Sequence, residues 1–305
     1  MKKLIVLGGI NMDLIVKTDD IPQKGKTALA SSLTFKPGGK GLNQAIAARK
    51  SGNQITLVGK IGSDDFGKDL IKFLKNESIN LDFLTISQNN KTGIALVTVD
   101  KKSDNTIVFL PASNDDLSPN DIEQIKFNKG DIALTTFEIP TKTSYEFFKK
   151  AKKAGALTVL NPSPAIPIKN KIFNLTDFLV LNETELAFYT NSHITENLDT
   201  ITRLVKKIRI FPKQIVIVTL GSKGSLALKN KNIIFAKAFK VNPVESTGAG
   251  DCFLGALISA LAKDSNLEKA LIFANAAAAI SVQNIGANAP TKSQVETFLK
   301  EHKTK

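Results

Sequence analysis

Across 305 residues the chain carries 41 Lys and Arg against 28 Asp and Glu, a formal net charge of +13, and 42% of its residues are hydrophobic. One cysteine, Cys252, excludes an internal disulfide and a multi-cysteine zinc site, and two histidines, His193 and His302, exclude a histidine-rich metal centre, so any metal is held by oxygen and Mg²⁺ is favoured. The positive charge is almost all lysine, with arginine only at Arg49, Arg203 and Arg209, and it is scattered along the chain, so nucleic acid is not an expected partner.

The chain opens on Leu4-Ile5-Val6-Leu7, an apolar run entering a turn at Gly8-Gly9, which reads as a buried strand. Lys2-Lys3 before this run superficially resembles a secretory leader, but Asn11, Asp13, Lys17, Asp19 and Asp20 break it before any cleavage site, and with the lone cysteine this points to the cytoplasm. Residues 10–35 read as extended chain, with Asp13 beside Asn11 as a candidate acceptor for sugar hydroxyls. Next comes Pro37-Gly38-Gly39-Lys40-Gly41-Leu42-Asn43-Gln44, running into an Ala-rich helix at 45–49. It lacks the Walker spacing, and no segment completes G-x-G-x-x-G, so neither standard nucleotide loop is present. Close backbone approach with Lys40 and Asn43 suits a polyhydroxylated ligand; an ordinary loop into a buried helix fits this segment equally well.

Further on, strand-like runs at 55–58, 132–136, 157–160, 178–181 and 215–219 alternate with helical patterns at 64–76, 142–154 and 198–208. That alternation predicts an α/β fold of three layers, a mostly parallel sheet with helices on both faces. Residues 91–110 differ, with β-rich runs at 92–99 and 106–110 joined across a polar turn at 100–105. We therefore expect one domain over 1–305 with small β-stranded lid insertions at about 10–36 and 91–112.

Several polar groups fall at the ends of predicted strands, where α/β proteins bind ligands. Glu138, like Asp13, is a candidate acceptor for sugar hydroxyls, and surface solvation explains either one alone just as well. Asn182 and Glu185, at i and i+3 of a helix start, suit a hydrated Mg²⁺, or simply the helix dipole. Thr219-Leu220-Gly221-Ser222-Lys223-Gly224 offers N–H groups and hydroxyls to nucleotide phosphates, or is a plain β-turn. Ser246-Thr247-Gly248-Ala249-Gly250-Asp251, leading into a helical run at 252–262, makes an anion cradle from peptide N–H groups and a helix dipole. A carboxylate there repels phosphate unless it accepts a proton from an attacking hydroxyl, so the segment reads as phosphoryl-transfer machinery with Asp251 as base and Gly248, Ala249 and Gly250 as the cradle. Cys252 reads as a packing residue. The most apolar late run, 270–282, is too short to span a bilayer, and Thr291 with Gln294 forms a capping box for a last helix.

In this order and at these distances the segments resemble the ribokinase-like carbohydrate kinase family (phosphofructokinase-B type), over nearly the whole chain. Gly8 to Asp13, Pro37 to Ala45 and Phe137-Glu138-Ile139-Pro140 are similar to the sugar-contacting segments, which implies sugar contacts at Asn11, Asp13, Gly39, Lys40, Asn43, Glu138 and Asp251. Asn161-Pro162-Ser163-Pro164-Ala165 and Asn182-Glu183-Thr184-Glu185 resemble the next strand ends, the latter associated with Mg²⁺ and phosphates. The nucleotide is expected at Asn182, Thr219, Gly221, Gly224 and Asn275, the last against adenine. The resemblance implies that the γ-phosphoryl of ATP passes to the primary hydroxyl of a furanose sugar, D-ribose first among candidates; the alternatives are another sugar, a nucleoside, or a silent sugar-sensing regulator. It also implies a homodimer formed lid to lid.

Three departures stand out. Glu245-Ser246 replaces the family's Asp-Thr before the second signature, and Gly286-Ala287-Asn288-Ala289-Pro290 is short, so K⁺ at Glu245 is the weakest of the implied ligands. Ala112-Ser113-Asn114 stands where Gly-Ala-Asn is usual, just after the bulky Phe109, and either change is expected to reshape the pocket and shift the substrate away from ribose.

Overall fold

The computed structural model describes residues 2–101, 104–168, 171–263, 266–284 and 286–303. The turn expected at 100–105 and the carboxyl-terminal residues of the predicted domain fall partly outside that range. Nine strands form the large sheet: β1 (Leu4–Leu7), β4 (Ile55–Ile61), β5 (Asn80–Ile86), β8 (Ile132–Thr135), β9 (Leu157–Leu160), β10 (Phe178–Asn182), β11 (Ile215–Thr219), β12 (Gly224–Lys229) and β13 (Asn232–Lys237). Their order is β13-β12-β11-β10-β9-β8-β1-β4-β5; the run from β5 to β11 is parallel, and β12 and β13 add an antiparallel hairpin at one edge.

Alternation along the strands divides the core into two. In β1, Leu4 and Val6 face one side while Ile5 and Leu7 face the other, and β10 repeats this with Phe178 and Val180 against Leu179 and Leu181. On the first face pack α1 (Lys40–Lys50), α2 (Asp65–Asn76), α6 (Ala249–Ala262), α7 (Leu267–Ser281) and α8 (Lys292–Lys303). On the second lie α3 (Thr141–Lys153), α4 (Glu183–Thr190) and α5 (Leu198–Ile208). The expected three layers are present. Local signals start the helices as read: Asp64 Oδ1 accepts from Gly67 N at 2.9 Å, and Thr291 N donates to Gln294 Oε1 at 2.8 Å. No helix among the described residues is long and apolar enough to cross a membrane.

β2 (Asn11–Thr18), β3 (Ala30–Gly38), β6 (Gly93–Val99) and β7 (Asn105–Leu110) form a separate sheet in the order β3-β2-β6-β7. Both predicted insertions therefore supply strands to one small sheet. Its register places Asp13 opposite Ala95, which is opposite Phe109, on one face. On the other face Phe35, Leu14, Leu96 and Val108 stand in one row.

Within the large sheet the chain runs outward from β1 to β4 and β5, then returns to β8 on the other side of β1. That reversal opens a crevice at the carboxyl ends of the parallel strands, where the segments after β1, β8, β9, β10 and β11 converge. One helix pair closes its floor: a Cβ on Gly255 of α6 would sit 2.5 Å from both Ala47 Cβ and Gln44 O of α1. Only glycine allows α1 and α6 to approach so closely.

Candidate active site

Asp251 is the third residue of α6 and 8% exposed. Its Oδ1 accepts from Gln44 Nε2 at 2.8 Å and its Oδ2 from Asn43 Nδ2 at 3.3 Å. Residues about two hundred positions earlier therefore hold the carboxylate, because Gly255 lets α1 lie against α6. Gly248 caps α6 with φ +76, a left-handed conformation that disfavours side chains, and a Cβ there would stand 2.5 Å from Ala287 Cβ. Of the three peptides read as an anion cradle, that of Ala249 is engaged in the turn itself, its N–H donating to Ser246 O at 3.2 Å. Space above Gly250 is open, with nothing within 4 Å of an added Cβ.

Two adjoining cavities meet at this turn. The smaller, about 190 Å³, is lined by Lys40, Asn161, Ser163, Asn182, Glu185, Thr219, Gly248, Gly250 and Asp251. The larger, about 750 Å³, is bounded by Thr219, Gly221, Gly224, Phe253 and Asn275, and shares Thr219 and Gly250 with the first. All five residues read as nucleotide contacts line one cavity or both. Asn275 spends its amide donor on the backbone, bonding Ala236 O at 2.9 Å and Lys237 O at 3.3 Å, which leaves its oxygen as the atom a ligand can meet.

The residues read as sugar contacts gather around Asp251, and one of them, Lys40, also borders the smaller cavity. Gly39 caps α1 at φ +92 with a Cβ position 2.6 Å from Gly9 O, so α1 begins directly against the turn after β1. That brings Lys40 N within 2.7 Å of Glu138 Oε2, after β8. Asn11 is buried and accepts from Asn114 Nδ2 at 2.8 Å, while Asn114 Oδ1 accepts from Ile10 N at 3.0 Å. Asn114 thus orients Asn11. It follows Ala112, whose φ of +48 explains why glycine is usual at this position. Ala112→Gly is expected to stabilise the protein by about 1 kcal/mol, the left-handed penalty of alanine less the extra freedom of glycine when unfolded; denaturant unfolding measures it, and an unchanged or lower midpoint contradicts it.

With this geometry in place, similarity to known proteins decides the family. A model described as pfkB family carbohydrate kinase matches residues 1–294. The chain belongs to that family. The ribokinase of Bacillus subtilis is 35% identical, over 98% of this chain and 100% of the relative. The crystal structure of ribokinase from Thermotoga maritima superposes with a TM-score of 0.86 at 32% identity, covering 98% of this chain and 100% of that one. A structure of Arabidopsis thaliana ribokinase complexed with ribose and ATP does so with a TM-score of 0.88 at 31% identity, covering 98% and 99%.

Electrostatics in this pfkB-family kinase are dominated by buried carboxyls. Burial, with the charge of Asp251 added, pushes Asp13 up to about 7. Burial also pushes Glu138 to about 7, against the pull of Lys40, with Asp251 and Asp13 adding to the rise. Glu185 is raised by burial although the Ser163 hydroxyl and the Asn182 N–H both bond it. Burial lowers Lys40, yet Asp251, Glu138 and Glu185 outweigh it and the ammonium is held charged. Burial pushes the Cys252 thiol to about 12, in keeping with a packing role.

Among the described residues no three His, Cys, Asp or Glu side chains are grouped to hold a metal by themselves. Asn182 and Glu185 cap α4 reciprocally, Asn182 Oδ1 accepting from Glu185 N at 2.8 Å and Glu185 Oε2 from Asn182 N at 3.0 Å. This carboxylate on the cavity wall fits Mg²⁺ that keeps its waters and takes its other ligands from phosphate. K⁺ fits less well. Glu245 Oε2 accepts from Gly286 N at 2.8 Å, tying the segment before α6 to that after α7, while Ile285 lies outside the described residues.

Gln44, Asn114, Asn161 and Ser163 belong to the site although none stood among the expected site residues. Gln44 carried a signal: an amide set directly before the apolar run 45–48 has no place on a buried helix face unless something pairs with it.

Proposed function

We propose that this kinase transfers the γ-phosphoryl group of ATP to the primary hydroxyl of D-ribose, giving ribose 5-phosphate. The observation that carries the reading is Asp251, held by two amides at the head of α6, on the wall of a cavity of about 190 Å³ and beside a buried cluster of carboxyl, amide and ammonium side chains. The similarity to ribokinases over the whole length supports ribose as the acceptor. Sugar hydroxyls donate to Asp13 and Glu138 and pair with Asn11, Lys40, Asn43 and the backbone at Gly39. Adenosine occupies the larger cavity beside Gly221, Gly224 and Asn275, and its phosphates pass Thr219 and Asn182 into the smaller one.

Asp251 accepts the proton as the sugar oxygen attacks in line. Charge on the transferred group meets the N–H groups of Gly248 and Gly250, the positive end of α6 and Lys40. Glu185 would hold Mg²⁺ through water, and the ion would supply charge neutralisation to the phosphates. The small sheet is a lid whose Asp13 face covers the sugar and whose opposite face, with Leu96 47% and Val108 66% exposed, pairs two copies as a dimer. ADP release measured with ribose, 2-deoxyribose, fructose and nucleosides tests the reading: ribose is expected to give the highest kcat/KM, and preference for any other acceptor overturns it.

The raised carboxyls give a pH signature. Asp13 and Glu138 keep protons up to about 7 and bind sugar hydroxyls best when ionised, so ribose affinity is expected to rise between pH 6 and 8. One group alone gives roughly a tenfold change over that range, read by calorimetry. In the unliganded protein the sign is opposite: both values lie above their unfolded ones, so their stabilising contribution is full below pH 3.8 and is lost as pH climbs through about 7. Affinity flat across the range removes both groups from sugar binding.

A further inference from the structure

We propose that Gln44 is a positioning residue that grips Asp251 by one oxygen, Oδ1, and so assigns Oδ2 as the atom that takes the proton. The inference rests on Asp251 as the base and adds which oxygen acts and what holds the other.

Gln44 is wholly buried, and its Nε2 donates to Asp251 Oδ1 at 2.8 Å and to Asn161 Oδ1 at 3.2 Å. The orientation of this amide is forced. Asn161 Nδ2 donates to Val180 O at 3.1 Å, in the strand beside it, which turns Asn161 Oδ1 toward Gln44. The side chain of Gln44 therefore faces two acceptors, and only its NH₂ end satisfies both. Its Oε1 is left buried without a hydrogen-bond partner. An unmatched buried acceptor weakens folding, and an apolar side chain of the same length would avoid the loss. What the amide supplies instead is a donor on the catalytic carboxylate, anchored through Asn161 to the central sheet.

The two oxygens of Asp251 are then unequal. Oδ1 is held by a short bond inside the protein, whereas Oδ2 meets Asn43 Nδ2 only at 3.3 Å, a contact that an incoming hydroxyl can replace. In the reaction the sugar O–H bond breaks and its proton passes to Oδ2. The new O–P bond forms as the bond from γ-phosphorus to the bridging oxygen breaks, and that electron pair leaves with the nucleoside diphosphate. The charged groups facing Asp251 are Lys40 on α1, Asp13 on β2, Glu138 after β8 and Glu185 on α4, and none of them reproduces the Gln44 contact.

Two variants of the full chain test this, each with kcat, both KM values, a pH profile and a melting temperature. Gln44→Met, similar in length but without a donor, is expected to lower kcat about 10- to 100-fold with both KM values within about twofold, as loss of alignment predicts. Gln44→Glu puts a second carboxyl beside Oδ1 and is expected to move the acid limb of the kcat profile up by at least about one pH unit. A residue that only fills space leaves kcat of Gln44→Met unchanged, since methionine fills the same volume. A kcat within twofold of the parent in Gln44→Met, or an unmoved limb in Gln44→Glu, overturns the proposal, and if one variant does not fold the other decides. Near-normal turnover in Asp251→Asn removes the base itself, whereas loss there with unchanged Gln44 variants removes only this inference.

Discussion

Asp251→Asn is expected to lower turnover about 10³-fold while ribose affinity stays within about threefold. The substitution preserves shape and keeps an oxygen for Gln44 Nε2, so the site stays assembled without a base. It also removes a negative charge that raises both Asp13 and Glu138. The midpoint of pH-dependent sugar binding should therefore fall below that of the parent. Coupled ADP release and calorimetry read the two effects separately, and turnover near the parent's would remove Asp251 from the chemistry.

Lys40→Met is expected to act in the opposite electrostatic sense. Its ammonium faces Asp251, Glu138 and Glu185 and borders the smaller cavity. Without it, Glu138 loses the attraction that holds its carboxyl down, so the sugar-binding midpoint should move up. Turnover should fall about 10²- to 10³-fold, the usual cost of losing one group aimed at developing charge. Lys40→Arg is not expected to restore it, because a planar fork does not fill the place of a compact ammonium. A midpoint that falls in Lys40→Met, or stays still, contradicts the assignment.

The large sheet was legible because its strands are short apolar runs separated by helices with an apolar stripe. The elements that escaped lacked such contrast. α7 is apolar nearly all round, so the run at 270–282 showed no helical period. β12 and β13 follow the Gly221–Gly224 turn so closely that the segment read as a turn alone. The residue types at the site were also legible, since glycines, amides and carboxyls cluster at strand ends. Their pairings were not: Asn43 read as a sugar ligand, yet it also reaches Asp251 some two hundred residues on, and only packing brings them together. Ala112 and Glu245 were visible as departures. Their physical content, a left-handed backbone at one and a bond to Gly286 N at the other, required coordinates.

The glycine seam between α1 and α6 has a consequence for heredity of function. A carboxylate mounted on one rod and steadied from its neighbour keeps its aim only as long as the two rods stay in contact. Loops around the rim are then free to diverge and adopt new sugars, whereas any bulk inserted at Gly255, a full turn from the chemistry, would prise the pair apart and spoil the stroke.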